Sequence, residues 1–198
     1  MAARIHFGRI RVASHGARSC AICGKWLFMI EIKPAQVSDA ILLAELGRKT
    51  FVETFSKDNR AEDMDLYIKQ TFGADRQLEE IQDPRRRIAI AWIGTTAVGF
   101  YHLLFGPADP AVKGAKPIEL LRLYVDSKWH GKGVAAALME RCIEVGRREG
   151  FATIWLGVWE RNFRAQAFYR KYSFAVVGAH GFTLGTDKQT DLVMSRAI

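Results

Sequence analysis

The chain has 198 residues and 49% hydrophobic content, enough to bury one sizeable core without metals or disulfide staples. It contains no run of eighteen apolar residues, so the sequence predicts no membrane-spanning helix. A net charge of +8 would suit a nucleic-acid partner, but five of the positive charges lie within residues 1–30, which contain no Asp or Glu. Since no helix-turn-helix pattern or aromatic-basic interleaving supports nucleic-acid recognition, we do not expect that class of partner.

Residues 1–28 differ in composition from the rest of the chain. They are rich in Arg, contain Ser and lack acids, which superficially resembles a transit peptide. Their apolar stretch, 26–30, is too short for the core of a signal peptide. We therefore expect residues 1–28 to be a disordered or artefactual N-terminal extension and residues 29–198 to be the folded domain.

Three cysteines are present, which fits a reducing cytoplasm better than a disulfide framework. Cys20 and Cys23 have the spacing of a zinc or redox pair. No second Cys/His pair follows at finger spacing, so we expect no metal site.

The sequence of the first half of the domain predicts helices followed by a β-hairpin. Ser38 or Asp39 is a candidate N-cap, and the residues after it divide into an apolar and a charged face. The predicted elements are a strand from Ile30, a helix to about Phe55, a helix at 61–72 with a further turn toward Ile81, and a β-hairpin formed by 87–93 and 97–105.

The second half predicts alternating strands and helices. A loop, 106–117, carries three prolines and two glycines and separates the two halves. The predicted elements are strand 118–125, helix 134–147, strand 153–159, helix 164–172, and closing strands near 174–178 and 190–196. Strands and helices mixed around one sheet predict an α/β domain.

The segment from Glu53 to Asp83 is acidic, with nine acidic residues and four basic ones. A solvated helical face explains such a charge pattern. Alternatively, the segment forms a wall that attracts a cationic substrate.

A glycine-rich turn, His130-Gly131-Lys132-Gly133-Val134-Ala135, lies between the strand that ends at Val125 and the helix that starts near Val134. Glycines let the backbone approach a ligand closely and aim several N–H groups in one direction, and the helix adds the positive end of its dipole. This arrangement is typical of a pyrophosphate site. A tight strand-to-helix turn would give the same pattern when taken alone.

About thirty residues downstream, a strand is followed by Asn162-x-x-Ala165-x-x-Phe168-Tyr169 at the opening of a helix. Together with Gly133 and Ala135, these residues resemble the signature of the GNAT superfamily of acetyl-CoA-dependent N-acetyltransferases. The closing segments, 154–160, 177–180 and 189–194, resemble the PaiA-type branch, whose members acetylate spermidine and spermine. His130 departs from the pattern, since the family usually has Arg or Gln there.

The resemblance implies a GNAT fold, a mixed and mostly antiparallel sheet flanked by helices, with two splayed strands that hold acetyl-CoA as co-substrate and no metal. The backbone N–H of Val125 would polarise the thioester carbonyl. The implied cofactor-binding residues are Leu123, Tyr124, Val125, His130, Gly131, Lys132, Gly133, Val134, Ala135, Ala136, Asn162 and Tyr169.

Tyr169 is the candidate general acid, because a phenol of pKa about 10 can protonate a leaving thiolate whose conjugate acid has a pKa of about 8.5. Packing beside Phe168 is the alternative role. Asn162 is a candidate N-cap and pantetheine contact.

Glu119 is the candidate general base, since several GNAT enzymes keep a basic carboxylate at the corresponding place. An exposed acid at a strand end is an equal alternative. Tyr124, Glu160 and His180 are lesser candidates, and a lone histidine such as His102 or His180 is more often a surface or packing residue.

The implied activity is direct transfer of acetyl from acetyl-CoA to a primary amine, with a polyamine such as spermidine or spermine as the leading acceptor. One alternative is acetylation of a protein N-terminus or lysine. Another is a non-catalytic regulator that binds acetyl-CoA. The expected partners are acetyl-CoA and a small cationic amine, with no membrane, and a homodimer is compatible with the sequence.

Overall fold

The structure is a computed structural model that describes residues 29–198. The expected N-terminal extension, 1–28, and the pair Cys20 and Cys23 lie outside the described residues. The described elements are β1 (Ile30–Pro34), α1 (Ala40–Phe55), α2 (Ala61–Thr71), α3 (Ala74–Gln82), β2 (Arg86–Ile93), β3 (Thr96–Leu104), β4 (Pro117–Val125), α4 (Val134–Arg148), β5 (Thr153–Trp159), α5 (Phe163–Lys171), β6 (Ala175–Leu184) and β7 (Asp187–Ala197).

The strands form one sheet in the order β1-β2-β3-β4-β5-β7-β6. Every neighbouring pair is antiparallel except β4 and β5, which run parallel. The predicted α/β fold with a mostly antiparallel sheet is confirmed.

Both faces of the sheet are buried at its centre, as β2 illustrates. Successive side chains of a strand point to opposite faces. Accordingly, Ala89 and Ala91 pack in the cluster that includes Leu138 and Cys142 of α4, whereas Ile88 and Ile90 pack with residues of α1. The sheet thus lies between α4 on one face and α1 on the other. In the described part of the chain, no helix is long and apolar enough to cross a bilayer.

The predicted elements agree with the structure except near their ends and after α2, where the expected further turn toward Ile81 is a separate helix, α3, with Gly73 as its N-cap. The closing hairpin is longer than predicted, because β6 continues past Gly178 and Gly181 and pairs with β7 as far as Leu184. Glycines weaken a strand pattern in sequence, but here a register shift next to Gly178 accommodates one of them.

A buried ion-pair network joins α3 to β4. The Glu80 carboxylate accepts hydrogen bonds from Arg122 at 2.6 and 3.2 Å, and Arg76 and Arg86 lie 3.3 and 3.5 Å away. His102 lies beside Glu80, and burial, assisted by Arg122 and Arg86, lowers the pKa of its imidazole well below the ordinary value. His102 is therefore neutral at pH 7 and contributes to packing.

Replacing Glu80 with Gln should destabilise the fold by about 3 kcal/mol, because Arg122 would keep a buried charge without its carboxylate partner. Glu79→Gln is the matched control: Glu79 is an exposed neighbour on α3 that pairs with Arg76, and its change should stay within about 0.5 kcal/mol. Urea unfolding measures both variants. Equal stability of the Glu80→Gln variant and the wild type would contradict the importance assigned to this network.

Candidate active site

The central feature of the site is the separation of β4 from β5. The two strands pair over three residues only, Pro117–Glu119 against Thr153–Trp155. Opposite the step from His102 to Leu103, β4 contains one extra residue, Leu121, which forms a β-bulge. A bulge bends its strand, so β4 then follows β3 away from β5 and a cleft opens between the two parallel strands.

The backbone of β4 faces this cleft at alternate residues. The Asp126 N–H donates to the Val98 carbonyl oxygen on β3, at 2.9 Å. Because hydrogen-bonding groups of successive strand residues point to opposite sides, the N–H groups of Val125 and Leu123 point away from β3 and into the cleft. The direction of the Val125 N–H fits the role that the resemblance implies for it.

The cleft contains a cavity of about 380 Å³. Many of the predicted site residues line it, which brings together parts of the chain that are distant in sequence. Those residues are Glu119, Leu123, Tyr124, Val125, His130, Ala135, Asn162 and Tyr169.

The glycine-rich turn has the backbone geometry of an anion cradle. Gly131 and Gly133 have φ angles of +74° and +86°, in the left-handed region that favours glycine. A Cβ built on either glycine meets no protein atom within 4 Å, so the space outside the turn is open to a ligand. The first helical hydrogen bond of α4 is from Ala137 N–H to Gly133 O, which leaves the amides of residues 133–136 without intrahelical partners.

Two of the predicted cradle residues also hold the turn in place. The His130 Nε2–H donates to the Val125 carbonyl oxygen at 2.9 Å, which ties the start of the turn to the end of β4. The Lys132 N–H donates to the Trp129 carbonyl oxygen at 3.3 Å, and its ammonium lies 4.7 Å from the centre of the Trp129 ring. His130, the departure from the family pattern, therefore links the cleft to the cradle.

Helix α1 anchors the chain just before this turn, through residues that the sequence analysis missed. Lys49 pairs with the Asp126 carboxylate, and the Ser127 N–H donates to Glu53 Oε2 at 3.1 Å. The hydrogen bond from Lys49 contributes to holding the pKa of Asp126 below its usual value despite the opposing effect of burial. The contacts join residues more than seventy positions apart, so no local pattern indicates them.

Asn162 is the N-cap of α5, as predicted, since its Oδ1 accepts from the Ala165 N–H at 3.1 Å. Tyr169, two turns into α5, lines the cavity and packs against Phe168 and Phe174 with ring centroids 5.6 and 5.7 Å apart. Burial raises the pKa of the Tyr169 phenol, so the phenol is protonated at neutral pH, as a donor must be, and is a weaker acid than an exposed phenol.

Glu119 is partly buried where β4 and β5 still pair. Burial raises the pKa of its carboxyl, against the opposing charges of His180 and Arg86, and a raised pKa favours a role as proton acceptor. Among the lesser candidates, burial raises the pKa of the Tyr124 phenol, which stays protonated at neutral pH, and Glu160 is exposed and does not line the cavity. His180 does line it.

The acidic segment from Glu53 to Asp83 does not present all of its charge to solvent. Asp63 is buried and accepts from the Thr186 N–H and hydroxyl at 2.6 and 2.7 Å, which lowers its pKa. Glu80 is engaged with Arg122. The carboxyl groups that line the cavity belong instead to Glu119 and Asp191. The sequence analysis did not single out Asp191, which lies on β7.

The described residues contain no group of three or more His, Cys, Asp or Glu side chains arranged to hold a metal ion.

Comparison with known proteins identifies the family. The model described as "Acetyltransferase (GNAT) family" matches residues 48–174. Over 172 residues the chain is 31% identical to an uncharacterized N-acetyltransferase in the pepI 3' region of Lactobacillus delbrueckii subsp. lactis, an alignment that covers 86% of this chain and 99% of that one. The chain belongs to the GNAT family and is an acetyl-CoA-dependent N-acetyltransferase.

More distant proteins agree with this assignment. The chain is 24% identical over 156 residues to the spermidine N(1)-acetyltransferase of Thermoplasma acidophilum, covering 77% of this chain and 92% of that enzyme. The crystal structure of a PaiA N-acetyltransferase from the same organism, in complex with coenzyme A, superposes with a TM-score of 0.71 at 22% identity, covering 85% of this chain and 99% of that one. The predicted GNAT fold, enzyme class and acetyl-CoA co-substrate are confirmed.

Gly133→Val should abolish acetyl-CoA binding, because the new side chain would project into the open space of the cradle. Gly150→Val is the matched control, since Gly150 has a φ of +82° and equally open surroundings at the other end of α4. Both variants bear similar backbone strain, of about 1–3 kcal/mol. Calorimetric titration with acetyl-CoA should show loss of binding for Gly133→Val only, and equal affinities in the two folded variants would remove the cradle assignment.

Tyr169→Phe should lower kcat about 100-fold while leaving acetyl-CoA affinity almost unchanged, because only the hydroxyl proton donor is lost and the ring packing remains. Phe168→Leu, a change in the neighbouring ring that carries no hydroxyl, is the control for altered packing. Steady-state kinetics and acetyl-CoA titration measure both effects. A kcat equal to that of the wild type would return Tyr169 to a packing role.

Proposed function

We propose that this enzyme transfers the acetyl group of acetyl-CoA directly to a primary amine of a polyamine such as spermidine or spermine. The observation that carries the proposal is the composition of the cavity wall. It combines two carboxyl groups, Glu119 and Asp191, with a continuous row of aromatic rings.

The aromatic row consists of rings in successive contact. Phe51 stacks on Tyr67 at 4.8 Å and contacts Phe55 at 4.7 Å. Trp159 extends the row beyond Phe55 at 6.0 Å, and Phe182 extends it beyond Tyr67 at 5.5 Å. Aromatic faces attract cations and also contact methylene groups well, so the row suits a chain of ammonium and methylene groups.

The carboxyl groups supply the complementary charge. Burial raises the pKa of Asp191, and an ammonium group beside it would favour the ionised form. The spermidine N(1)-acetyltransferase among the relatives supports the same acceptor class.

The proposed placement of acetyl-CoA follows from the backbone. Amides of residues 133–136 face the pyrophosphate together with that of Gly131, His130 holds the turn against β4, and Leu123 and Val125 offer their N–H groups to the acetyl-pantetheine arm, with Tyr124 and Asn162 beside it. The Val125 N–H stabilises the negative charge that develops on the thioester oxygen.

The proposed steps assign one task to each side chain. Glu119 removes a proton from the bound ammonium, and the amine then attacks the thioester carbon. The C–N bond forms, the C–S bond breaks, Tyr169 donates its proton to the departing thiolate, and the second proton that the nitrogen loses restores the Tyr169 phenol. We place this chemistry in the cytoplasm, which fits the buried free thiol of Cys142.

An acceptor panel tests the proposal directly. The kcat/KM for spermidine and spermine should be well above the values for neutral amines and for peptides with a free N-terminus or a lysine. Added salt should raise the KM of the polyamine more than the KM of acetyl-CoA. Asp191→Asn should raise the polyamine KM about 10-fold, the effect of losing one charge-assisted hydrogen bond. Glu62→Gln, an exposed acid on α2, is the control and should have no effect.

Two results would contradict the proposal. Peptides that prove far better acceptors than any polyamine would make the enzyme a protein acetyltransferase. An equal response to Asp191→Asn and Glu62→Gln would show that the cavity carboxyl does not bind the acceptor.

A further inference from the structure

Acetylation of an ammonium group releases a proton, and neither Glu119 nor Tyr169 carries that proton out of the site. The nitrogen of a primary ammonium group carries three hydrogens and that of the product amide carries one, so the nitrogen loses two protons in each turnover. One of the two protons ends on the coenzyme A thiol, supplied through Tyr169. The other must leave the site in every turnover, and Glu119 cannot act again until it has lost that proton.

Glu119 is poorly placed to release the proton by itself. Its carboxyl is partly buried at the base of the cleft, where β4 and β5 pair. An acceptor and a pantetheine arm in the cavity would remove its remaining contact with water. A second group that reaches both the cavity and solvent would solve this problem.

His180 of β6 has this position. It lines the same cavity as Glu119, yet 36% of its side chain is exposed. Its Nε2 lies over Gly157 of β5, 3.3 Å from the point where a Cβ would stand, and Asp191 Oδ2 lies 3.4 Å from the same point. The imidazole therefore lies close to the Asp191 carboxyl, shares the cavity with Glu119 and is partly exposed.

Asp109 fixes the tautomer of this imidazole. The His180 Nδ1–H donates to Asp109 Oδ2 at 2.9 Å, which leaves the lone pair on Nε2 free toward the cavity. Asp109 is itself held rigidly in the proline-rich loop, since its Oδ1 accepts from the Ala111 N–H at 2.8 Å and its carbonyl oxygen from the Val112 N–H at 2.9 Å. The Ala111 N–H and His180 hold the pKa of Asp109 below its usual value, so the carboxylate is available to stabilise an imidazolium.

We propose that His180, oriented by Asp109, is the proton relay of this enzyme: it takes the proton from Glu119 on Nε2 through water in the cavity and releases it to solvent. Both groups return to their starting protonation states after each turnover. Glu119 is again a carboxylate, and His180 is again neutral with its Nδ1–H bonded to Asp109. The groups that face the imidazole are Asp109 from the loop, Asp191 from β7 and Glu119 from β4. The relay depends on amine acetylation and not on which amine is the acceptor.

Chemical rescue tests the relay with whichever amine the wild type acetylates best, so that failure of the polyamine assignment leaves this test intact. His180→Ala should lower kcat by about 10- to 100-fold, a usual range for loss of a proton-transfer group, with acetyl-CoA affinity and melting temperature nearly unchanged. Imidazole added to the assay should restore most of the lost kcat. The wild type is the control and should not respond to imidazole.

Asp109→Asn is the second variant. It keeps the side-chain shape but removes the charge that supports the imidazolium, so kcat should fall by less than in His180→Ala, without rescue by imidazole. A folded His180→Ala variant that imidazole does not rescue, or whose only change is a higher KM for the amine, would overturn the relay and leave His180 a binding residue.

Discussion

The geometry of the site depends on the short length over which β4 pairs with β5 before the two strands separate. Two parallel strands would ordinarily satisfy each other's hydrogen bonds along their length. Here pairing stops after three residues, and the bulge at Leu121 directs the rest of β4 along β3. The N–H groups of Leu123 and Val125 are then left facing a cleft. An extended ligand with carbonyl and amide groups, such as a pantetheine arm, satisfies such groups in the way a strand would.

The same departure explains the position of the other parts. The glycine turn follows a few residues after the end of β4, so the turn lies where the cleft ends. Lys49, Glu53 and His130 hold that junction from α1 and from the turn itself. Near the opposite end of β4, Glu119 remains in the paired region. The strand therefore connects the glycine turn to Glu119, the proposed proton acceptor.

Motifs that are contiguous in sequence were predicted well, and residues joined by long-range pairing were not. Gly131, Gly133 and Asn162 belong to a turn and a helix cap, whose conformations depend on neighbouring residues, so their spacing was informative. Asp191 reaches the cavity only through the register of β7 with β5 and β6. Asp109 meets His180 across 71 positions. The acidic composition of the segment from Glu53 to Asp83 did not indicate which of its carboxylates face solvent. Asp63 and Glu80 are buried and bind partners within the protein, Thr186 and Arg122.

The central claim is that the backbone of β4 binds acetyl-CoA in the cleft, and residue-resolved amide hydrogen exchange measured by NMR tests it most directly. Without a ligand, the amides of Leu123 and Val125 should exchange much faster than that of Tyr124, which faces β3. Saturation with acetyl-CoA should slow exchange at Leu123 and Val125 and leave Tyr124 nearly unchanged. Exchange at Leu123 and Val125 that is already slow in the free enzyme, or that does not respond to saturating acetyl-CoA, would contradict this account.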